Sequence, residues 1–139
     1  MRKQRDAVHP TAEAIVRVNA FICREGGNPH HCYDIGKIES AIHSAFYPGE
    51  YPYAAGGIGR IAGALCFYLT KSHAFMDGNK RTATIAAISF LNANGWDLRY
   101  PFDEKRDTNA LATIVDECAT GTISKDALMD WFDAHKVKL

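Results

Sequence analysis

The sequence has no surplus of either charge: 16 lysines and arginines stand against 16 aspartates and glutamates, a formal net charge of +0 at pH 7. A balanced chain builds no overall field that would hold it on nucleic acid or an anionic membrane. Direct nucleic-acid binding is therefore not expected, and any anion site must be local. Long hydrophobic stretches are missing too. The longest apolar run, IAGALCFYL, falls far short of a membrane span, and MRKQRDAVHPTAEA carries charge but no apolar segment of a secretion signal. A soluble, cytoplasmic protein with no membrane attachment is expected. The four cysteines, Cys23, Cys32, Cys66 and Cys118, form no CxxC pair and are expected as reduced thiols. In CREGGNPHHC, the residues Cys23, His30, His31 and Cys32 could in principle surround zinc. The spacing fits no zinc template, and the adjacent His31 and Cys32 would converge on one ion only with difficulty, so a Gly/Asn/Pro loop is the simpler reading. Repeats, linkers and low-complexity segments are absent. Residues 1–139 are expected to form one domain, long enough to bury a core without disulfides or a structural metal.

What is present is helical periodicity. A first helix is predicted from about Pro10 to Cys23, stopped by Gly26 and Gly27. Asp34 can cap a second, with Ile35, Ile38, Ile42, Ala45 and Phe46 on its buried face. The segment YPGEYPYAAGG, rich in Pro, Gly and Tyr, predicts a short hairpin or ordered loop. A third helix carries Ile58, Ile61, Ala62, Leu65 and Leu69. The fourth, from about Asn79 to Asn94, has few polar residues on any side and is expected to be central and buried all round, ending at Gly95. WDLRYPF is then extended. A fifth helix, capped by Asp107 or Thr108, buries Leu111, Ile114, Val115 and Cys118. Ser124 caps a sixth, with Ile123 and Leu128 as a hydrophobic staple and Trp131 and Phe132 facing inward. The expected class is all-α: amphipathic helices around a central buried one.

The start of the fourth helix breaks a rule. In SHAFMDGNKRTATIAAISFLNANG, Lys80 and Arg81 occupy a first turn, where exposed N–H groups and the positive dipole end favour acidic residues. Capping and turn roles explain His73, Asp77, Gly78 and Asn79 singly, and Phe75 reads as a core anchor. The two cations become favourable once an anion sits between them and the amides, and phosphate is the obvious one. Gly78 would let the backbone approach it. Asp77 would suit Mg²⁺, which takes one or two carboxylates plus substrate phosphates. His73 could take a proton from an attacking hydroxyl. The set therefore reads as phosphoryl or nucleotidyl transfer. Walker-type and protein-kinase signatures are absent.

HAFMDGNKRTA resembles the signature loop of the Fic/Doc proteins, H-x-F-x-[DE]-[GA]-N-[GK]-R, and is most similar to the Doc (death on curing) branch. GKIESAI and NALATIVDECATGTISKDALMDWF resemble the helices flanking that loop, so the likeness covers most of the chain. The resemblance implies the all-α Fic fold, with the Tyr-rich segment as a flap that holds a target's backbone. It implies His73 as general base, Phe75 locking the loop and Asp77 holding Mg²⁺. Gly78 and Asn79 would form an anion hole, and Lys80 and Arg81 would bind the phosphates of ATP.

Against the AMP-transferring pattern H-P-F-x-x-G-N-G-R-x-x-R, the second glycine is Lys80 and the last arginine is Thr84. In Doc-type proteins this change goes with transfer of the γ-phosphate to a protein Ser/Thr hydroxyl. Such a protein would act as a translation-inhibiting toxin on a translation factor, elongation factor Tu first among the candidates. The resemblance further implies a separately encoded Phd-like antitoxin. The internal inhibitory pattern [ST]-x-x-x-E-[GN] is not matched, since Phe21 stands where Glu25-Gly26 would need a hydroxyl residue. AMP transfer to a protein hydroxyl, and a non-catalytic module that blocks its partner by binding, remain the alternatives.

Overall fold

A computed structural model describes residues 10–47, 57–105 and 108–139. Thr11 opens the first helix, its hydroxyl accepting from Ala14 N at 3.1 Å. Helix α1 (Ala12–Glu25) therefore begins after Pro10, rather than at it, and runs past Cys23. Asp34 caps α2 (Ile35–Phe46) as expected, accepting from Gly36 N at 2.9 Å. Ile35, expected on the buried face, is instead exposed beside the cap, while Ile38, Ile42, Ala45 and Phe46 are buried. The Tyr-rich segment expected to form a flap lies, from Pro48 to Gly56, outside the described residues.

Helix α3 (Ile58–Ser72) leads through a short loop into α4 (Asn79–Ala93). The most enclosed helix is α3 rather than α4. It touches α2, α4, α5 (Ala110–Ala119) and α6 (Lys125–His135), and its small residues make that crowding possible. Gly59 and Gly63 bring α6 so close that a Cβ would stand 2.7 Å from Asp133 Cα or 2.6 Å from Met129 Cα. Helix α4 buries Thr82, Ala83, Ala86, Ala87, Phe90 and Leu91, yet leaves Arg81, Ile85 and Ser89 exposed. The expectation of burial all round thus fails on one face, where α4 and α5 diverge around a groove. Phe90 meets Phe46 of α2 edge-on, with ring centroids 4.9 Å apart.

Among the described residues four short strands complete the order: β1 (Trp96–Leu98) after α4, β2 (Phe102–Asp103) and β3 (Thr108–Asn109) before α5, and β4 (Lys136–Lys138) after α6. Strand β1 pairs antiparallel with β4, Trp96 opposite Lys138 and Leu98 opposite Lys136. The extended character of WDLRYPF was legible; its partner, some 40 residues away, was not. Strands β2 and β3 form a hairpin ladder, so Thr108 is extended and Asn109 caps α5 in place of the expected Asp107 or Thr108, accepting from Ala112 N at 2.8 Å. Asp107 lies outside the described residues. Ser124 caps α6 as its position predicts, and Phe132 is fully buried with Trp131 half-buried beside it. No helix among the described residues is long and apolar enough to cross a membrane.

Candidate active site

The loop between α3 and α4 begins with strain. His73, the C-cap of α3, has φ 49° and ψ 42°, and among the described residues it is the only non-glycine with positive φ. For an L-residue this left-handed conformation costs about 1–2 kcal/mol, and such strain persists where the surroundings over-determine it. His73 is exposed, and its ring takes no hydrogen bond among the described residues.

Four contacts then hold the loop rigid. Phe75 is buried, and the Asn79 side chain clasps its backbone, accepting from Phe75 N at 3.1 Å and donating to Phe75 O at 2.8 Å. From the other side the 28–33 segment lies against the loop as a strand would. Met76 N donates to His31 O at 2.9 Å, Tyr33 N donates to Ala74 O at 2.8 Å, and Cys32 pairs with Phe75 between them. Of the four residues weighed as a zinc set, His31 and Cys32 thus brace the loop through their backbone, and the Cys23 thiol lies 3.8 Å from Asp77 O. Among the described residues no group of three or more His, Cys, Asp or Glu side chains could hold a metal ion.

Gly78 is the N-cap of α4, its φ of 75° favours glycine, and no side chain caps the helix. The first intrahelical bond comes from Thr82 N to Gly78 O at 2.9 Å, so the amides of Asn79, Lys80 and Arg81 precede the ladder. The Asn79 side chain is spent on Phe75, which leaves its backbone N–H as what it can offer an anion. Asp77 is exposed, one carboxylate oxygen receiving Gly78 N at 2.8 Å. Lys80 leans to α5, where Asp116 accepts from its Nζ at 2.8 Å; both side chains are more than half exposed, so this contact holds weakly. Arg81 has no ion-pair partner among the described residues. Thr84, where the AMP-transferring pattern has arginine, turns its hydroxyl onto Lys80 O at 2.8 Å.

Lys80 and Arg81 stand at the rim of a groove of about 520 Å³ with an apolar floor that includes Ile85, Ile88, Leu111 and Val115. The chemistry available here is anion binding by three open amides and two cations, with a carboxylate and an unencumbered imidazole on the same short loop. Asp77 with phosphate oxygens and water is the donor set Mg²⁺ prefers, so these residues fit that ion.

The profile described as "Fic/DOC family" matches residues 10–91. The chain belongs to the Fic/DOC family. It is also similar to a curated protein named "Toxin Doc" from Mycolicibacterium smegmatis, 40% identical over 98 residues that cover 68% of this chain and 70% of that protein. The described fold, mostly helical with the motif loop between α3 and α4, agrees with the Fic fold expected from the signature.

Sequence reading missed one member of this Fic/DOC site. Asn19 is fully buried on the inner face of α1 between Ile15 and Ile22, and its side chain reaches the loop across 58 residues of chain. The available signal was a polar residue on the 12-15-19-22 apolar stripe, since a buried amide must find partners. Nearby, burial raises the pKa of the Cys23 thiol, with the Asp77 carboxylate adding to the shift and Arg81 opposing it.

Proposed function

We propose that this Fic/DOC protein is the toxin of a toxin–antitoxin pair and a kinase in chemistry, moving the γ-phosphate of ATP to a Ser/Thr hydroxyl of a target protein. The observation that carries the transfer reading is the uncapped, glycine-started α4, with two cations at a helix end that repels them unless an anion is bound. His73 would accept the proton of the target hydroxyl. The oxygen would then bond to the γ-phosphorus as the bond to the β-bridging oxygen breaks and ADP leaves. The amides of Asn79, Lys80 and Arg81, with the side chains of Lys80 and Arg81, would hold the phosphates. Asp77 would hold Mg²⁺, which when bound neutralises charge on the transferring group. Lys80 and Thr84, in place of glycine and arginine, favour phosphate over AMP as the group moved. The printed name of the relative supports the toxin role. The target would be a translation factor, elongation factor Tu first among candidates, and a Phd-like antitoxin would supply control in trans.

The test is ATP labelled at the α- or γ-phosphate, incubated with the protein and a bacterial lysate. Label should reach a protein from the γ-position alone, and His73→Ala should lower the rate by about 10²–10⁴ with unfolding unchanged. Label arriving only from the α-position would establish AMP transfer instead. Growth inhibition undiminished in folded His73→Ala would establish a binding module.

A further inference from the structure

The peptide joining Asp77 to Gly78 is gripped on both edges. Its carbonyl, Asp77 O, accepts from Asn19 Nδ2 at 2.8 Å, and its N–H, on Gly78, donates to Asp77 Oδ1 at 2.8 Å. No cis peptide occurs among the described residues, and a trans amide is planar, with C=O and N–H pointing opposite ways. Whatever fixes the carbonyl therefore fixes the direction from which the N–H holds the carboxylate.

Asn19 is itself held without slack. Its Nδ2 also donates to Thr82 Oγ1 at 3.0 Å, while its Oδ1 faces His30 Nδ1 at 2.8 Å and accepts from the Cys23 thiol at 3.6 Å. Both N–H groups of the carboxamide are thus engaged and its oxygen faces His30, while the single thiol proton of Cys23 is shared between that oxygen and Asp77 O at 3.8 Å. The orientation follows from chemistry: Asp77 O can only accept, so the nitrogen of Asn19 must face it. The oxygen then faces His30, whose Nδ1 must carry the proton. Gly78 belongs to the same arrangement, because a Cβ there would stand 3.2 Å from Asn19 Nδ2.

We infer that Asn19 is a positioning residue for the Asp77 carboxylate, acting through one rigid peptide plane, with His30 holding Asn19 in orientation from the exposed side. The inference rests on the reading of Asp77 as the group that would hold Mg²⁺, and it adds the residues that aim it. A mere brace of the fold would alter stability and leave the carboxylate's behaviour alone.

Three variants of the full chain separate these roles: Asn19→Leu, His30→Ala and His30→Asn. His30 is exposed, so its replacement opens no core cavity, and asparagine carries an amide nitrogen on Cγ where histidine carries Nδ1. The first readout is hydrogen exchange of the Gly78 amide in protein free of nucleotide and metal. It should quicken about tenfold in His30→Ala, the equivalent of one loosened charge-assisted hydrogen bond, more in Asn19→Leu, and return in His30→Asn. The second is the Mg²⁺ concentration that half-saturates calorimetric binding of a non-hydrolysable ATP analogue, expected to rise about tenfold in His30→Ala at unchanged Tm, as for other residues that orient a metal ligand. With labelled ATP, kcat should fall while KM for the protein target stays put. Unchanged Gly78 exchange in both Asn19→Leu and His30→Ala overturns the inference, as does a shift that His30→Asn fails to restore. Wild-type protein that binds no nucleotide would sink the functional reading alone, because Gly78 exchange still decides whether Asn19 positions the carboxylate.

Discussion

His73 pays for its place in backbone strain, and that strain can be measured. At φ 49° it sits where glycine and asparagine are tolerated best. His73→Asn should therefore raise the unfolding free energy by about 0.5–1 kcal/mol in urea titration, since asparagine fits the left-handed C-cap more readily than histidine. The same variant should lose phosphoryl transfer. A variant no more stable than wild type would show that the loop follows the side chain rather than constraining it. Single residues also mark what a sequence exposes and hides. His73, Phe75, Asp77, Gly78, Asn79, Lys80 and Arg81 stand in one unbroken stretch, so local chemistry alone could nominate them. Asn19 and His30 act on that stretch from far along the chain, and nothing in their own neighbourhoods names their partner.

Among the elements, caps were the most legible, because a cap is a contract between residues two or three apart. Asp34 and Ser124 open α2 and α6 as their chemistry predicts. Asn109 rather than Thr108 caps α5 because pairing of β3 with β2 keeps the chain extended through Asn109, so the helix begins only at Ala110; that pairing is between strands rather than within one. The contact of α3 with α6 is of the same tertiary kind. Gly63→Ala would put a Cβ 2.6 Å from Met129 Cα and 3.0 Å from Leu128 O, and neither backbone atom can swing aside. The two helices must separate, at a cost of about 1–3 kcal/mol, read as a lower urea midpoint at unchanged slope. A Gly63→Ala protein of wild-type stability would mean that α6 shifts freely over α3.

On the scale of the whole molecule, burial sets how stability responds to alkali. Desolvation in the core, with Cys118 nearby, pushes the Cys66 thiol up to about 12, while an unfolded chain would ionise it near 9. Above pH 9 the unfolded state therefore holds fewer protons than the native state, and stability falls as pH rises. The loss from this one thiol should approach about 1.4 kcal/mol per pH unit between pH 9 and 12. Urea unfolding at a series of alkaline pH values checks it: Cys66→Ala, less stable at neutral pH, should show the shallower decline. Parallel slopes for the two proteins would rule the Cys66 contribution out.

What the sequence determined by itself was whatever depends on neighbours along the chain: the helical periods, most caps, the glycine at the start of α4 and the motif that names the family. These are set by spacing, and spacing is written in the order of residues. Only the tertiary structure decided that α3 rather than α4 lies deepest, that one face of α4 borders a groove, and that the 28–33 segment and Asn19 clamp the motif loop. Those outcomes depend on which surfaces meet after folding. An amide on an apolar stripe announces that it needs partners, but only the packing of α1 on α4 shows that one partner is the peptide that aims Asp77.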